Sequence, residues 1–497
     1  MADDDITQFG ATFKRFMDAM VGVAVTPESA LLRRIRDHLG AEPTQLPVVV
    51  EEFDPFEQPN VQRALDDYVA GGAPGRHVEL VGVAAENKRF MAVGLSDLLS
   101  RGGAGRPTLG EGPVDYVNYS LAGGERLACV QFGLYLVRDG DRSLVAFISG
   151  PTDRMGPRVK LRMEVMATAP DHAAAFLAGI RERMQRLNVY RGHAISLSPG
   201  QMGMGPQTLV AFHALPRVRR EDVVLPAGVL ERVERHTVGF AEHAATLLAA
   251  GRSLKRGLLL FGPPGTGKTL TVMYLAGRMP DRTLLLTTGR GMGLVELVAT
   301  MARQLAPAMI VLEDVDLIAE ERGQPFQRTG PLLFELLNEM DGLRDDCDVV
   351  FVLTTNRPDI LEPALAARPG RIDLAVELPL PDAEGRARLL ELYARGLRLD
   401  GVDPARFVER TEGASPAYIK ELLRKSVLLA AEDGATGVIT AARLDAAIDE
   451  LAEGGRLAER ILGFRPDPPD AGPPGPPPGR PPRPPGFPPA AGTWRMG

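Results

Sequence analysis

Leu258-Leu259-Leu260-Phe261 runs straight into Gly262-Pro263-Pro264-Gly265-Thr266-Gly267-Lys268-Thr269. The octapeptide satisfies G-x-x-x-x-G-K-[ST], with a strand before it and a helix expected over 269–278, the context in which this pattern cradles phosphate. Its glycines let successive backbone N–H groups turn inward around an anion. The helix N-terminus adds partial positive charge. The residue types then assign Gly262, Pro263, Pro264, Gly265, Thr266 and Gly267 to the cradle, Lys268 to the β- and γ-phosphates and the Thr269 hydroxyl to Mg²⁺.

Outward from that loop, further apolar runs occur at Thr283–Leu286, Met309–Leu312 and Val349–Leu353, separated by helical segments. Strands apolar without alternation, with helices between them, imply a parallel sheet covered on both faces. The run Met309–Leu312 ends in Glu313-Asp314-Val315-Asp316. A carboxylate at a strand's carboxyl edge can hold Mg²⁺, here Glu313. The next one, Asp314, can orient an attacking water. Val349–Leu353 ends in Thr354-Thr355-Asn356, whose amide can contact both the γ-phosphate and that water. Arg368-Pro369-Gly370-Arg371 follows, with two guanidinium groups able to reach a neighbouring subunit's nucleotide.

The remaining chain divides by composition. Residues 1–44 read as a helical segment, in which Thr26-Pro27-Glu28 caps a helix that carries Leu31, Leu32, Ile35 and Leu39 at helical spacing. Residues 45–216 mix strand-like runs (Val48–Val50, Val78–Val83, Val114–Val117, Ala128–Val137, Ser143–Ile148, Leu161–Val165) with a helix over Ala173–Leu187. They are expected to form an α+β domain on a largely antiparallel sheet. The phosphate-site core spans 217–380, and 381–455 is expected to be helical throughout, with Ser415-Pro416 opening one helix. Of 42 prolines, 14 fall between Pro466 and Pro489, so 456–497 forms neither helix nor sheet. That tail is either a linker or a docking segment for an aromatic groove.

Composition excludes several classes. The net charge is −7, with no basic stretch interleaved with aromatics, which disfavours nucleic acid as partner. Cys129 and Cys347 are the only cysteines, which rules out a disulfide framework or a cysteine-built zinc site and fits a cytoplasmic protein. No apolar run approaches the ~18–20 residues that a membrane-spanning helix needs.

These motifs resemble the AAA ATPases, the AAA+ clade of ring-forming remodellers, over about residues 220–455. Leu332-Leu333-Phe334-Glu335-Leu336-Leu337-Asn338-Glu339-Met340-Asp341-Gly342 resembles the helix before the family's fourth core strand. Thr355-Asn356-Arg357-Pro358-Asp359, Pro363-Ala364-Leu365 and Arg368-Pro369-Gly370-Arg371 resemble its second region of homology. The resemblance implies an α/β P-loop core with a carboxyl-terminal helical lid. It implies ATP hydrolysis with Mg²⁺, Asn356 as sensor, Arg368 and Arg371 as trans-acting fingers, and a homo-oligomeric ring, usually a hexamer. Gly413-Ala414-Ser415 would open the lid helix that faces the adenine.

The match departs from the family in three places. The acidic pair is inverted, Glu313 before Asp314 where the family usually has Asp before Glu; the same order occurs in the subgroup of the mitochondrial chaperone that translocates a folded Rieske protein. No aromatic lies between Tyr274 and Phe326, the interval that in threading members carries a gripping pore loop; Met292, Leu294 and Val295 take its place. The ending Thr493-Trp494-Arg495-Met496-Gly497 lacks the hydrophobic–Tyr–any signal of proteasomal ATPases. The expectation is a cytoplasmic Mg-ATPase ring acting on a protein substrate or adaptor, with a slowly hydrolysing scaffold or switch as the alternative.

Overall fold

A computed structural model describes residues 12, 14–15, 29–72, 74–84, 94–99, 110–151, 160–197, 210–287, 294–316, 338–339, 342, 344–359, 372–434 and 437–453. The expected start Thr26–Glu28, most of 332–342, Arg368, Arg371, Met292 and the proline-rich tail lie outside them. The chain divides into two compact units, 1–380 and 381–497.

The first unit begins with helix α1 (Ala30–Leu39). Its cap is Ser29 rather than Thr26: the Ser29 hydroxyl accepts from Leu32 N at 3.1 Å. Strands β1 (Val48–Phe53), β2 (Arg76–Ala84), β3 (Gly110–Gly112), β4 (Asp115–Ser120), β5 (Arg126–Asp139), β6 (Arg142–Ser149) and β7 (Leu161–Ala167) follow, with helices α2 (Gln58–Ala70), α3 (Leu95–Leu99) and α4 (Pro170–Arg186) between and after them. The strands form an antiparallel sheet in the order β1-β7-β6-β5-β2-β3, with β4 on β5. One face packs on α2 and α4 through Val61, Leu65, Phe176 and Ile180. The other packs on α1 and α3 through Leu31, Ile35, Leu95 and Leu98. Coverage of both faces explains why Leu144–Ile148 is apolar without alternation. It also joins residues 30–39 to this domain, so the segment expected to end at 44 is not separate.

Helix α2 was not legible as amphipathic because it buries amides. Where β5 bulges against β4 between Val130 and Phe132, the Val130 amide donates to Gln62 Oε1 at 2.9 Å, and Gln58 Nε2 donates to Val130 O at 2.9 Å. The two side chains satisfy backbone groups that the irregular ladder leaves over.

The second sheet contains β8 (Ala194–Leu197), β9 (Val210–His213), β10 (Arg256–Phe261), β11 (Thr283–Thr287), β12 (Ala308–Leu312), β13 (Val349–Thr355) and β14 (Leu374–Glu377), in the order β14-β10-β13-β12-β11-β8-β9. All neighbours are parallel except β8 and β9. Leu258, Leu260, Leu284, Met309, Val311, Val350 and Val352 face helix α5 (Lys268–Arg278). Leu259, Leu285, Ile310, Leu312, Phe351 and Leu353 face helix α6 (Val295–Gln304). The expected α/β P-loop core is present.

Strands β8 and β9 overturn the boundary expected at 216/217. Leu284, Leu285 and Leu286 of β11 pair with Ala194, Ile195 and Ser196, so residues assigned to the amino-terminal domain extend the phosphate-site sheet. The adjoining segment is tied down as well. Tyr190 donates through its hydroxyl to Phe56 O at 2.6 Å, and Val189 N donates to Asn60 Oδ1 at 2.8 Å. Phe56, from the antiparallel domain, belongs to the same apolar cluster as Leu259, Leu285 and Ile310.

In the second unit, helices α7 (Ala383–Tyr393), α8 (Pro404–Arg410), α9 (Pro416–Glu432) and α10 (Ala441–Glu453) bury Leu389, Phe407, Ile419, Leu422 and Ile448. Ser415 caps α9 by accepting from Tyr418 N at 3.1 Å. The unit is not helical throughout: β15 (Arg398–Asp400) pairs with β16 (Val438–Thr440), strands too short to leave a periodic signal.

Truncating Phe56, 2% exposed, to Ala should cost ~3–5 kcal/mol. Native-state hydrogen exchange should then show lost protection in β10–β13 as well as in β5–β7. Loss confined to the antiparallel sheet would contradict a shared core.

Candidate nucleotide site

The loop 262–267 leaves β10 at its carboxyl edge and enters α5. Gly262 has φ +145°, and a Cβ there would lie 2.2 Å from Leu378 O, so only glycine fits. Gly267, at φ +95°, turns the chain into α5. The first turn of α5 thus presents amides without intrahelical partners at the loop. Lys268 is buried, and its Nζ donates to Gly262 O and Pro263 O, both at 2.9 Å. Burial pulls its ammonium below the usual lysine range, while the charges of Asp314 and Asp316 push the other way. Thr266 Oγ1 closes the loop onto Pro263 O at 2.9 Å, and Thr269 is exposed beside it.

Glu313 and Asp314 stand at the end of β12, next to β10's neighbour β13. Glu313 Oε1 is buried with no hydrogen-bond partner among the described residues. An orphaned carboxylate oxygen and an exposed threonine hydroxyl are hard oxygen donors, the set that Mg²⁺ takes beside phosphates. Among the described residues no cluster of three or more His, Cys, Asp or Glu is placed to hold a metal by itself. The donors therefore fit a cation that arrives with the nucleotide.

Asp314 sits at φ +49°, a left-handed backbone that costs a non-glycine residue about 1–3 kcal/mol. Its amide donates to Thr354 Oγ1 at 3.1 Å, and its Oδ1 accepts from Asn356 Nδ2 at 3.3 Å. The structure thus brings Asp314 and Asn356 into direct contact, a pairing that the sequence reading does not include. Sequence reading gave no role to Thr354, Thr355 or Asp316, although all three lie in the quoted strand ends. Leu294 and Val295, named as pore-loop candidates, are instead core residues: Val295 is buried at the start of α6 and Leu294 packs on the same cluster.

A cleft of about 500 Å³ lies away from this loop, between β1, α4 and the end of α6. Of the charges that line it, Arg181 pairs with Glu51, while Arg303 and Asp54 pair with Glu339 and Lys160 from outside the lining.

The class is clear from sheet, loop and acidic strand together: a P-loop ATPase domain. Residues 258–380 match the "ATPase family associated with various cellular activities (AAA)". This domain binds ATP with Mg²⁺ and hydrolyses it. The chain is 34% identical over 279 residues to an ATP-dependent zinc metalloprotease FtsH of Rhodococcus erythropolis, covering 53% of this chain and 32% of that protein. An FtsH of Mycobacterium tuberculosis is 33% identical over 263 residues, covering 50% and 34%. An FtsH 2 of Symbiobacterium thermophilum is 29% identical over 393 residues, covering 67% and 66%. The chain thus spans between about a third and two thirds of these relatives' lengths. None of the seven histidines here is followed by glutamate, so the His-Glu-x-x-His zinc pattern does not occur in these 497 residues. No described helix is long and apolar enough to cross a membrane.

Lys268→Ala should lower affinity for a fluorescent ATP analogue by ~100-fold or more, since it removes a charge-assisted contact from a buried site. Unchanged affinity would contradict the assignment of this loop to the nucleotide.

Proposed function

We propose that the chain works as a ring of identical subunits, six in the family's usual arrangement, in which ATP hydrolysis remodels or disassembles a protein partner held by the amino-terminal domain. The continuity of the nucleotide-site sheet with β8 and β9 supports this reading. A recognition domain hydrogen-bonded to β11, whose end leads towards the central-loop interval, moves with the ATPase core rather than on a free linker. Such a device suits a folded or assembled partner better than an extended chain. The lack of an aromatic between Tyr274 and Phe326 agrees with that.

In this reading the loop amides and Lys268 hold the phosphates, and Thr269 and Glu313 would hold Mg²⁺, which would supply charge neutralisation on the phosphate oxygens. Asp314, oriented by Asn356, positions and deprotonates the attacking water. Arg368 and Arg371 reach the neighbouring subunit's nucleotide. The inverted acids put the longer side chain on the metal and the shorter one on the water, as in the Rieske-translocating subgroup. That order favours slow turnover and keeps a switch-like use of ATP as the second reading. The chain's place is the cytoplasm, and its proline-rich tail is a linker or a docking segment.

Asp314→Asn should retain ATP and lose turnover by about 10²–10⁴-fold; Glu313→Gln should instead weaken the dependence on Mg²⁺. The Asp314→Asn chain, with ATP, should capture its partner, and the wild type should release it. A stable fluorescent domain fused to that partner should keep its signal during release, in the presence of a trap against refolding. Processive ATP-dependent loss of fluorescence would contradict the proposal.

A further inference from the structure

Asp316 lies two residues beyond the acidic pair and is 6% exposed. Burying a carboxylate is costly unless donors compensate for lost water. Both donors here come from the end of β13: Thr355 Oγ1 at 2.7 Å and Asn356 N at 3.2 Å, each to Asp316 Oδ1. Two residues back from Asp316, the same two ends meet again through Asp314 N to Thr354 Oγ1 and Asn356 Nδ2 to Asp314 Oδ1. Four bonds therefore stitch the end of β12 to the end of β13.

We infer that Asp316 is a positioning residue for hydrolysis: it fixes the backbone of Asn356, so that the carboxamide meets Asp314 and sets the direction of the Asp314 carboxylate. Two observations give that fixing a purpose. Asp314 is held in a strained backbone, which persists only where neighbours over-determine it. Asn356 reaches Asp314 at 3.3 Å, near the limit for a hydrogen bond, so a small shift of its backbone would break the contact. Charge-assisted bonds from two donors hold that backbone more firmly than neutral ones would.

Asp316 also contributes to the field at Lys268, which offers a competing role as electrostatic partner of the phosphate-binding lysine. The two roles separate kinetically. A residue acting through Asn356 affects the chemical step and not nucleotide affinity. It also becomes silent once the Asn356 side chain is gone.

The inference rests on hydrolysis at this site, and the test is a double-mutant cycle on the full chain. Single-turnover hydrolysis and equilibrium binding of a fluorescent ATP analogue are both read. Asp316→Ala should slow the chemical step ~10–100-fold and leave analogue affinity within ~3-fold. Asp316→Asn, which keeps an acceptor, should recover most of the rate. In an Asn356→Ala background, Asp316→Ala should add no further loss. Thr355→Val removes one donor to Asp316 without altering the carboxylate, and it should show the same rate-selective loss and the same silence. That variant carries the test if Asp316→Ala does not fold. Multiplying losses in the Asn356→Ala background would overturn the inference, and a parallel fall in affinity would assign Asp316 to Lys268 instead. A wild type that binds nucleotide without turning it over would overturn the hydrolytic reading itself, and Asp316's role with it.

Discussion

The parallel pairing of β8 with β11 is the interaction on which the molecule's organisation depends. Without it, the antiparallel domain would join the ATPase core only through chain connectivity and the packing of Phe56. With it, Ala194–Ser196 lie in register with Leu284–Leu286, and Tyr190 and Phe56 share the core that covers α6. A hydrogen-bonded ladder and a buried aromatic are stiff connections, because neither deforms without losing backbone bonds or packing. The proposed coupling of ATP hydrolysis to a partner held by the amino-terminal domain relies on that stiffness.

At the opposite side of β11 the same sheet holds the chemistry. The carboxyl edges of β10, β12 and β13 place the phosphate loop, the acidic pair and Asn356 side by side, as the crevice beyond strand ends does in open α/β sheets. The site stores strain and desolvation where it acts: a buried Lys268, an orphaned Glu313 oxygen and a left-handed Asp314. Each is unfavourable in isolation. A triphosphate with its cation would satisfy the first two at once, which couples nucleotide binding to the stability of this edge.

What could be read from sequence follows burial. Leu258–Phe261, Met309–Leu312 and Val349–Leu353 are covered on both faces, so each appears as an unbroken apolar run, and the glycines at 262 and 267 are demanded by backbone geometry. Strands β8 and β9 gave no such signal because they are four residues long and carry Ser196 and His213. Helix α2 hid because its buried face includes Gln58, Asn60 and Gln62, which bond backbone rather than pack as hydrocarbon. Asp316 was visible as a residue and not as a partner, since its bonds cross 39 and 40 positions of chain.

The stiffness of the junction is tested most directly by a distance between its two sides. Spin labels would be placed at exposed Val69 on α2 and exposed Leu248 beside the ATPase core, with Cys347 replaced by serine and buried Cys129 left in place. With the doubly labelled chain diluted into excess unlabelled chain, which suppresses pairs between subunits, pulsed electron–electron double resonance should give one narrow distance distribution, unchanged between the nucleotide-free chain and the chain with Mg-ATP. A broad distribution, or a shift of several ångströms on adding nucleotide, would contradict an amino-terminal domain and ATPase core that move as one body.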